Sequence, residues 1–142
     1  MSARGAVIAI DLGTKHTGLA VTDALRIARE PLRSFHGGET GLCAHLQELA
    51  RERDVEAFVL GLPLDMDGGE GPRARAVRLF GQTLAQRFPA VAIAFQDERL
   101  SSKAAEELAR ELGLRGARAR ELHDSLSAVV ILRDWLAAGE PR

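Results

Sequence analysis

The stretch that decides the fold runs from residue 6 to residue 22 and reads AVIAIDLGTKHTGLAVT. Its first five residues form a short, continuous apolar run, which is typical of a buried central strand. The run ends at Asp11, and Gly13 and Gly18 bound a segment rich in turn-forming residues. A second strand is expected over residues 19–22, so the stretch predicts an antiparallel hairpin.

The rest of the chain alternates between strand and helix patterns. A third strand is expected around residues 28–35, and Pro31 favours an edge position for it. Further strands are predicted at residues 55–60 and 90–95, and apolar side chains at helical spacing predict helices within residues 42–50, 77–88, 104–112 and 124–138. The order β-β-β-α-β-α-β-α-α predicts an α/β fold: a five-stranded mixed sheet, three antiparallel strands and then parallel strands, flanked by helices.

Length and composition are those of one globular domain spanning residues 1–142. A hydrophobic fraction of 46% excludes disorder as the state of the whole chain. Apolar runs are far shorter than the roughly 20 residues that cross a bilayer, so no membrane association is expected. The single cysteine, Cys43, cannot form an internal disulfide, and no signal peptide is evident. We therefore expect a cytoplasmic protein.

Three acidic residues lie where a cleft could form. Asp11 ends the first strand, Glu98 follows the fifth, and Asp124 opens the last predicted helix. Parallel strands present their carboxyl ends at one edge of a sheet, so Asp11 and Glu98 are expected to emerge together. Three converging carboxylates repel unless cations lie between them, and ligands that are all oxygens favour Mg²⁺ or Mn²⁺. Two such ions would suit phosphodiester hydrolysis.

Each acid also has a simpler interpretation. An aspartate before a glycine-rich turn, as at Asp11, is a common turn former. Glu98 fits a solvated surface acid, and Asp124 fits the N-cap of a helix. Spacing alone therefore does not establish that the three side chains meet.

Four blocks of sequence resemble, in order, the YqgF family of RNase H-like nucleases. They read AIDLGTKHTGLAV (residues 9–21), VLGLPLDMDG (59–68), DERLSS (97–102) and HDSLSAVVIL (123–132). The resemblance covers nearly the whole chain. It implies an RNase H-like fold and phosphodiester cleavage that depends on Mg²⁺ or Mn²⁺, with two ions expected. It also implies that Asp11, Glu98 and Asp124 are both the catalytic and the metal-binding residues.

The family resemblance points to two substrates. Members are described as nucleases that mature the precursor of 16S ribosomal RNA and as Holliday junction resolvases. A junction resolvase needs two symmetric active sites and hence a dimer. No heptad pattern or conspicuous apolar patch indicates a dimer, so RNA is favoured over branched DNA, and monomer or homodimer stays open. The chain departs from the family at Asp65, where relatives often have Asn, and at Ser102, where they often have Thr.

Basic residues are the expected contacts to phosphate. Lys15 lies in the turn after Asp11, and Arg99 follows Glu98. A segment expected to be a mobile loop carries three arginines: Arg115, Arg118 and Arg120. Phosphate contacts need little beyond positive charge and reach, but a solvated turn lysine or an ordinary surface connector explains Lys15 and the three arginines equally well. Arg99 could instead pair with a neighbouring acid, although its place near the cleft favours a phosphate contact.

Other basic side chains receive no substrate role from the sequence. A second basic run holds Arg73, Arg75 and Arg78. His16 and His123 lie beside candidate acids and could assist proton transfer, although a solvated or hydrogen-bonded histidine is the simpler interpretation.

Two other function classes fit parts of the sequence. An Asp-Leu-Gly-Thr turn followed by a hairpin also occurs in actin-like and hexokinase-like ATPases, but those enzymes close two such domains around the nucleotide and one domain is expected here. A non-catalytic RNA-binding module is the other rival, and it would not require three acids. The sequence therefore favours a nuclease.

Overall fold

The computed structural model describes residues 5–142, which form one five-stranded sheet and four helices. In chain order the elements are β1 (Ala6–Asp11), β2 (His16–Thr22), β3 (Arg29–His36), α1 (Glu39–Arg53), β4 (Val55–Leu62), α2 (Pro72–Arg87), β5 (Ala92–Asp97), α3 (Ser101–Glu111) and α4 (Gly116–Ala137). The predicted order of strands and helices is confirmed. Within this part of the chain, no helix is both long enough and apolar enough to span a bilayer.

The strands lie in the order β3-β2-β1-β4-β5, with β1 at the centre. β2 pairs antiparallel with both β1 and β3, whereas β4 is parallel to both β1 and β5. The predicted mixed sheet is confirmed, and Pro31 lies in β3, an edge strand. The parallel strands β1, β4 and β5 therefore end at the same edge of the sheet.

Alternating side chains of β1 face two separate cores. Ile8 and Ile10 point to the face that α1 and α2 cover, which is rich in large aliphatic side chains and phenylalanines. Val7 and Ala9 point to the opposite face, where alanines from several strands surround Trp135 of α4. Small side chains let a helix approach a sheet closely, because little volume separates the two backbones. The central helix α4 is therefore held tightly against the sheet.

The last helix begins eight residues earlier than the sequence pattern suggests. It starts at Gly116, not at Asp124, so the segment that carries Arg115, Arg118 and Arg120 is helical and not a mobile loop. We call these three residues the α4 arginines. The physical reason is apolar packing: Leu114, Ala119 and Leu122 pack against the small side chains of α3. The short connection contains Gly113, whose φ of 74° is a left-handed conformation that favours glycine. α3 and the start of α4 thus form a helical hairpin.

Candidate active site

Asp11 and Glu98 meet above β4, the strand that separates their own strands. β1 and β5 lie two strand spacings apart, about 10 Å. The intervening residue is Gly61, where a Cβ atom would lie 2.6 Å from Oε2 of Glu98 and 2.5 Å from Cδ1 of Ile131. Because Gly61 has no side chain, the Glu98 carboxyl extends across β4 and hydrogen bonds to Asp11.

Asp124 reaches the same edge of the sheet through a second close approach. Gly18 of β2 is the register partner of Asp11. A Cβ atom on Gly18 would lie 2.0 Å from the carbonyl oxygen of Asp124 and 3.1 Å from its Cβ. Glycine at this position therefore lets α4 cross β2 where Asp124 is carried, and Asp124 affects the pKa of Asp11 electrostatically. Asp124 lies inside α4, so its prediction as an N-cap is wrong.

The partly buried carboxyl pair favours a protonated state. Burial raises the pKa of Asp11, the hydrogen bond from Glu98 lowers it, and the negative charge of Asp124 raises it. Burial, the charge of Asp11 and the hydrogen bond to Asp11 raise the pKa of Glu98 to about 9. Near neutral pH the pair therefore shares one proton, in the hydrogen bond between Glu98 and Asp11. Carboxyl groups held this closely need a proton or a cation between them.

Arg73 belongs to this site, although the sequence indicates only a basic run. It lies in the first turn of α2, and its Nη2 donates a hydrogen bond of 2.8 Å to the carbonyl oxygen of Leu12. Its positive charge lowers the pKa of both Asp11 and Glu98. The guanidinium is thus an exposed cation next to the carboxyl pair.

The two candidate histidines have different surroundings. Nε2 of His123 lies 3.3 Å from Oγ of Ser102, and the charge of His123 acts on Asp11. His16 stacks on His36, its register partner in β3, with ring centroids 4.2 Å apart. Of the two, His123 is the one that affects the acidic pair.

Lys15 and Arg99 are both at this end of the sheet. Lys15 is exposed in the β1–β2 turn, where its carbonyl oxygen accepts a hydrogen bond from the Gly37 amide. The Arg99 guanidinium contacts Oδ2 of Asp97 through Nε at 2.9 Å and through Nη2 at 2.8 Å, and its Nη1 donates to the carbonyl oxygen of Met66 at 3.1 Å. Although burial raises the pKa of Asp97, hydrogen bonds from Arg99 hold it below its usual value. Arg99 thereby connects the loops after β4 and β5.

The α4 arginines lie along the start of α4. Arg115 is its N-cap residue, and Arg120 is one turn before Asp124. At 1.5 Å per residue, the nine positions from Arg115 to Asp124 place Arg115 about 13 Å along the helix from the acid. Among residues 5–142, no carboxylate forms an ion pair with any of these three arginines.

Asp11, Glu98 and Asp124 do not have the arrangement of a formed metal site. In the described part of the chain, no three His, Cys, Asp or Glu side chains have the spacing of a formed metal site. Asp11 and Glu98 are instead hydrogen bonded to each other. The chemistry of the donors fits a hard cation, since all three acids offer oxygen ligands.

Two solved structures identify the fold of this chain. Thermus thermophilus RuvC in complex with a Holliday junction substrate matches with a TM-score of 0.59 at 20% identity, covering 96% of this chain and 98% of RuvC. The fowlpox virus Holliday junction resolvase matches with a TM-score of 0.52 at 9% identity, covering 91% and 98%. Identities this low concern the fold alone. This chain therefore has the RNase H-like fold of these two junction resolvases.

The chain belongs to the RuvX family, which is also called the YqgF family. The model of this family is described as Holliday junction resolvase and matches residues 5–138 of the chain. The resemblance to the YqgF family is thereby confirmed. A relative from Rhodobacter capsulatus is 45% identical over 133 residues, covering 93% of this chain and 83% of the relative. A relative from Myxococcus xanthus is 44% identical over 135 residues, covering 93% and 87%. Both carry the provisional name of pre-16S rRNA nuclease.

Proposed function

We propose that this protein is a divalent-metal-dependent nuclease that cleaves the precursor of 16S ribosomal RNA near its 5′ end. The observation that carries the proposal is the partly buried, hydrogen-bonded pair of Asp11 and Glu98, with Asp124 beside it. Holding several partly buried acids close together costs free energy unless a proton or a cation lies between them. A cation in place of the shared proton would offset this cost.

The three acids are the proposed ligands for Mg²⁺ or Mn²⁺, with two ions expected. Asp11 is the common member, because it hydrogen bonds to Glu98 and is electrostatically coupled to Asp124. When bound, such ions activate water and stabilise the leaving oxygen of a phosphodiester. Arg73 limits the repulsion within the acidic set and is placed to contact a substrate phosphate.

Substrate phosphates are proposed to follow the basic side chains around the acids. Lys15 and Arg99 lie on either side of the site, and the α4 arginines extend the positive surface away from it. Arg99 would share its guanidinium between Asp97 and a phosphate. None of these contacts selects a base, so sequence specificity is not expected from them.

Precursor ribosomal RNA is the first candidate substrate because the two bacterial relatives, both above 40% identity, carry that name. A four-way DNA junction is the second, because the family model is described by that activity. Cleaving a junction symmetrically would require a homodimer, whereas processing RNA would not. We also propose a cytoplasmic location, because ribosomal RNA is processed there and the single cysteine fits a reducing compartment.

A side-by-side cleavage assay tests the proposal. The protein is incubated with precursor 16S RNA, an unrelated single-stranded RNA and a four-way DNA junction, each in Mg²⁺, in Mn²⁺ and in EDTA, with ATP hydrolysis measured in parallel. We expect metal-dependent cleavage of the precursor and no ATP hydrolysis. Cleavage of the junction alone would transfer the proposal to recombination. Cleavage in EDTA, or ATP hydrolysis without cleavage, would refute it.

A further inference from the structure

The helical hairpin contains a groove that no part of the acidic site uses. It lies between the end of α3 and the start of α4 and has a volume of about 430 Å³. Sites for small ligands typically measure roughly 300–1,000 Å³, so the groove has the size for one nucleotide-like group. We call it the hairpin groove; its lining includes Arg110, Leu114, Arg115, Ala119, Arg120 and His123.

The rim of the hairpin groove is basic. Three arginines line it: Arg110, Arg115 and Arg120. Among the described residues that line the groove, Glu106 is the one acidic side chain. No ion pair engages these three arginines within residues 5–142, whereas Arg78 and Arg99 each form one with a neighbouring carboxylate. Guanidinium groups that lack a protein partner are available to bind phosphate, which they recognise through paired N–H donors.

The floor of the hairpin groove is apolar. Ala109, Leu114 and Ala119 contribute to its lining, and all three belong to the small apolar cluster between α3 and α4. The end nearest the acids is His123, which directly precedes Asp124. The groove therefore combines an apolar surface, positive charge and continuity with the proposed catalytic acids.

We propose that the hairpin groove binds one unpaired nucleotide of the substrate strand, a short distance from the scissile phosphate. The base lies against the apolar floor, and the flanking phosphates contact the arginine rim. A base within a duplex is stacked and paired, so it cannot enter without being flipped out, whereas unpaired bases are free to be splayed. The groove thus selects single-stranded over fully paired substrate. This inference rests on the proposed nuclease function.

Binding measurements test the groove without relying on cleavage. Fluorescence anisotropy in EDTA compares a labelled single-stranded RNA with a blunt duplex of the same sequence. The test variant is Arg110→Ala/Arg120→Ala, which changes two exposed helix positions. The matched control is Arg87→Ala, at an exposed position in the last turn of α2, where the arginine forms no ion pair with any other of residues 5–142.

We expect the single strand to bind more tightly than the duplex. The double variant should weaken single-strand binding by about tenfold or more, because charge-assisted contacts to phosphate are lost, and Arg87→Ala should change it by less than about twofold. Equal affinity for the duplex, or equal effects of the double variant and the control, would overturn the proposal.

A second measurement addresses the base itself. An abasic nucleotide is moved along the single strand, and we expect one position at which it weakens binding to the unchanged protein. Ala119→Phe, which fills the groove, should remove that dependence, with its fold checked by thermal melting. Absence of any sensitive position would overturn the groove assignment. Failure of cleavage with these binding results intact would instead refute the proposed nuclease function.

Discussion

Replacing Glu98 with glutamine should stabilise the metal-free protein at alkaline pH. In the folded protein, burial and Asp11 raise the pKa of Glu98 to about 9, from an ordinary value of 4.5. Between these two values the unfolded chain has released this proton, but the folded protein still holds it. Folding then takes up a proton, so the free energy of unfolding falls as pH rises, and the contribution is fully present only below the unfolded pKa.

The size of the effect follows from proton linkage. One proton taken up on folding gives a slope of about −1.4 kcal/mol per pH unit, so the contribution of Glu98 falls by about 4 kcal/mol between pH 5 and pH 8. Glutamine has nearly the same shape, and its amide can donate a hydrogen bond to Asp11, but it does not titrate. The slope that Glu98 contributes should therefore disappear in Glu98→Gln.

Urea unfolding in EDTA at a series of pH values measures this slope. Glu107→Gln is the matched control, because the same chemical change is made at an exposed position of α3. The difference in unfolding free energy between Glu98→Gln and the unchanged protein should widen with pH, while the control follows the unchanged protein. Parallel curves for all three proteins would refute the assignment of a shared proton to Asp11 and Glu98.

Three further predictions concern the surroundings of the acids. Gly18→Ala should lower the free energy of unfolding by about 2–4 kcal/mol, because the added methyl group would meet the carbonyl oxygen of Asp124. Gly38→Ala is the control: this glycine has open space around it, so its replacement should cost under about 1 kcal/mol. Similar urea midpoints for the two would contradict the close approach. Arg73→Ala should slow cleavage about tenfold, and exposed Arg75→Ala less than about twofold; equal rates would remove Arg73 from the site. Replacing all three α4 arginines with alanine should make the slope of log binding constant against log salt concentration shallower by about two for a single strand. An unchanged slope would exclude these arginines from the substrate path.

The strand pattern could be predicted because its signals are local. The apolar run of β1, the turn glycines after Asp11 and the proline of β3 each indicate an element or its position without knowledge of the rest. Because parallel strands present their carboxyl ends at one edge of a sheet, Asp11 and Glu98 could be predicted to lie at that edge. Parallel pairing of β1 and β4 and of β4 and β5 confirms the sheet geometry on which that expectation rests.

The start of α4 could not be recognised from charge. The arginines around residues 115–120 suggest a solvated loop, but Leu114, Ala119 and Leu122 pack against α3. Their apolar spacing is short and weak on its own, and it becomes meaningful only with α3 as its partner. The same limit applies to Asp124, whose position inside a helix changes its expected role as a cap.

The roles of Gly18, Gly61 and Arg73 in the site can be recognised only from the tertiary structure. Gly18 and Gly61 are ordinary turn or strand glycines in the sequence, yet each leaves space for an acid from a distant element. Arg73 is one member of a basic run until the first turn of α2 brings it to the Leu12 carbonyl. Sequence patterns do not show such approaches, because the contacting residues are far apart in the chain.

Cleavage of precursor 16S RNA by Asp11→Asn in Mg²⁺ tests the central claim most directly. Asp65→Asn, the same change at an exposed position in the loop after β4, is the matched control. We predict that Asp11→Asn loses cleavage although it still melts cooperatively as a folded protein and binds RNA in EDTA as the control does; the control itself cleaves normally. Cleavage by Asp11→Asn at the rate of the unchanged protein would contradict the assignment of the acids as the catalytic, metal-binding set.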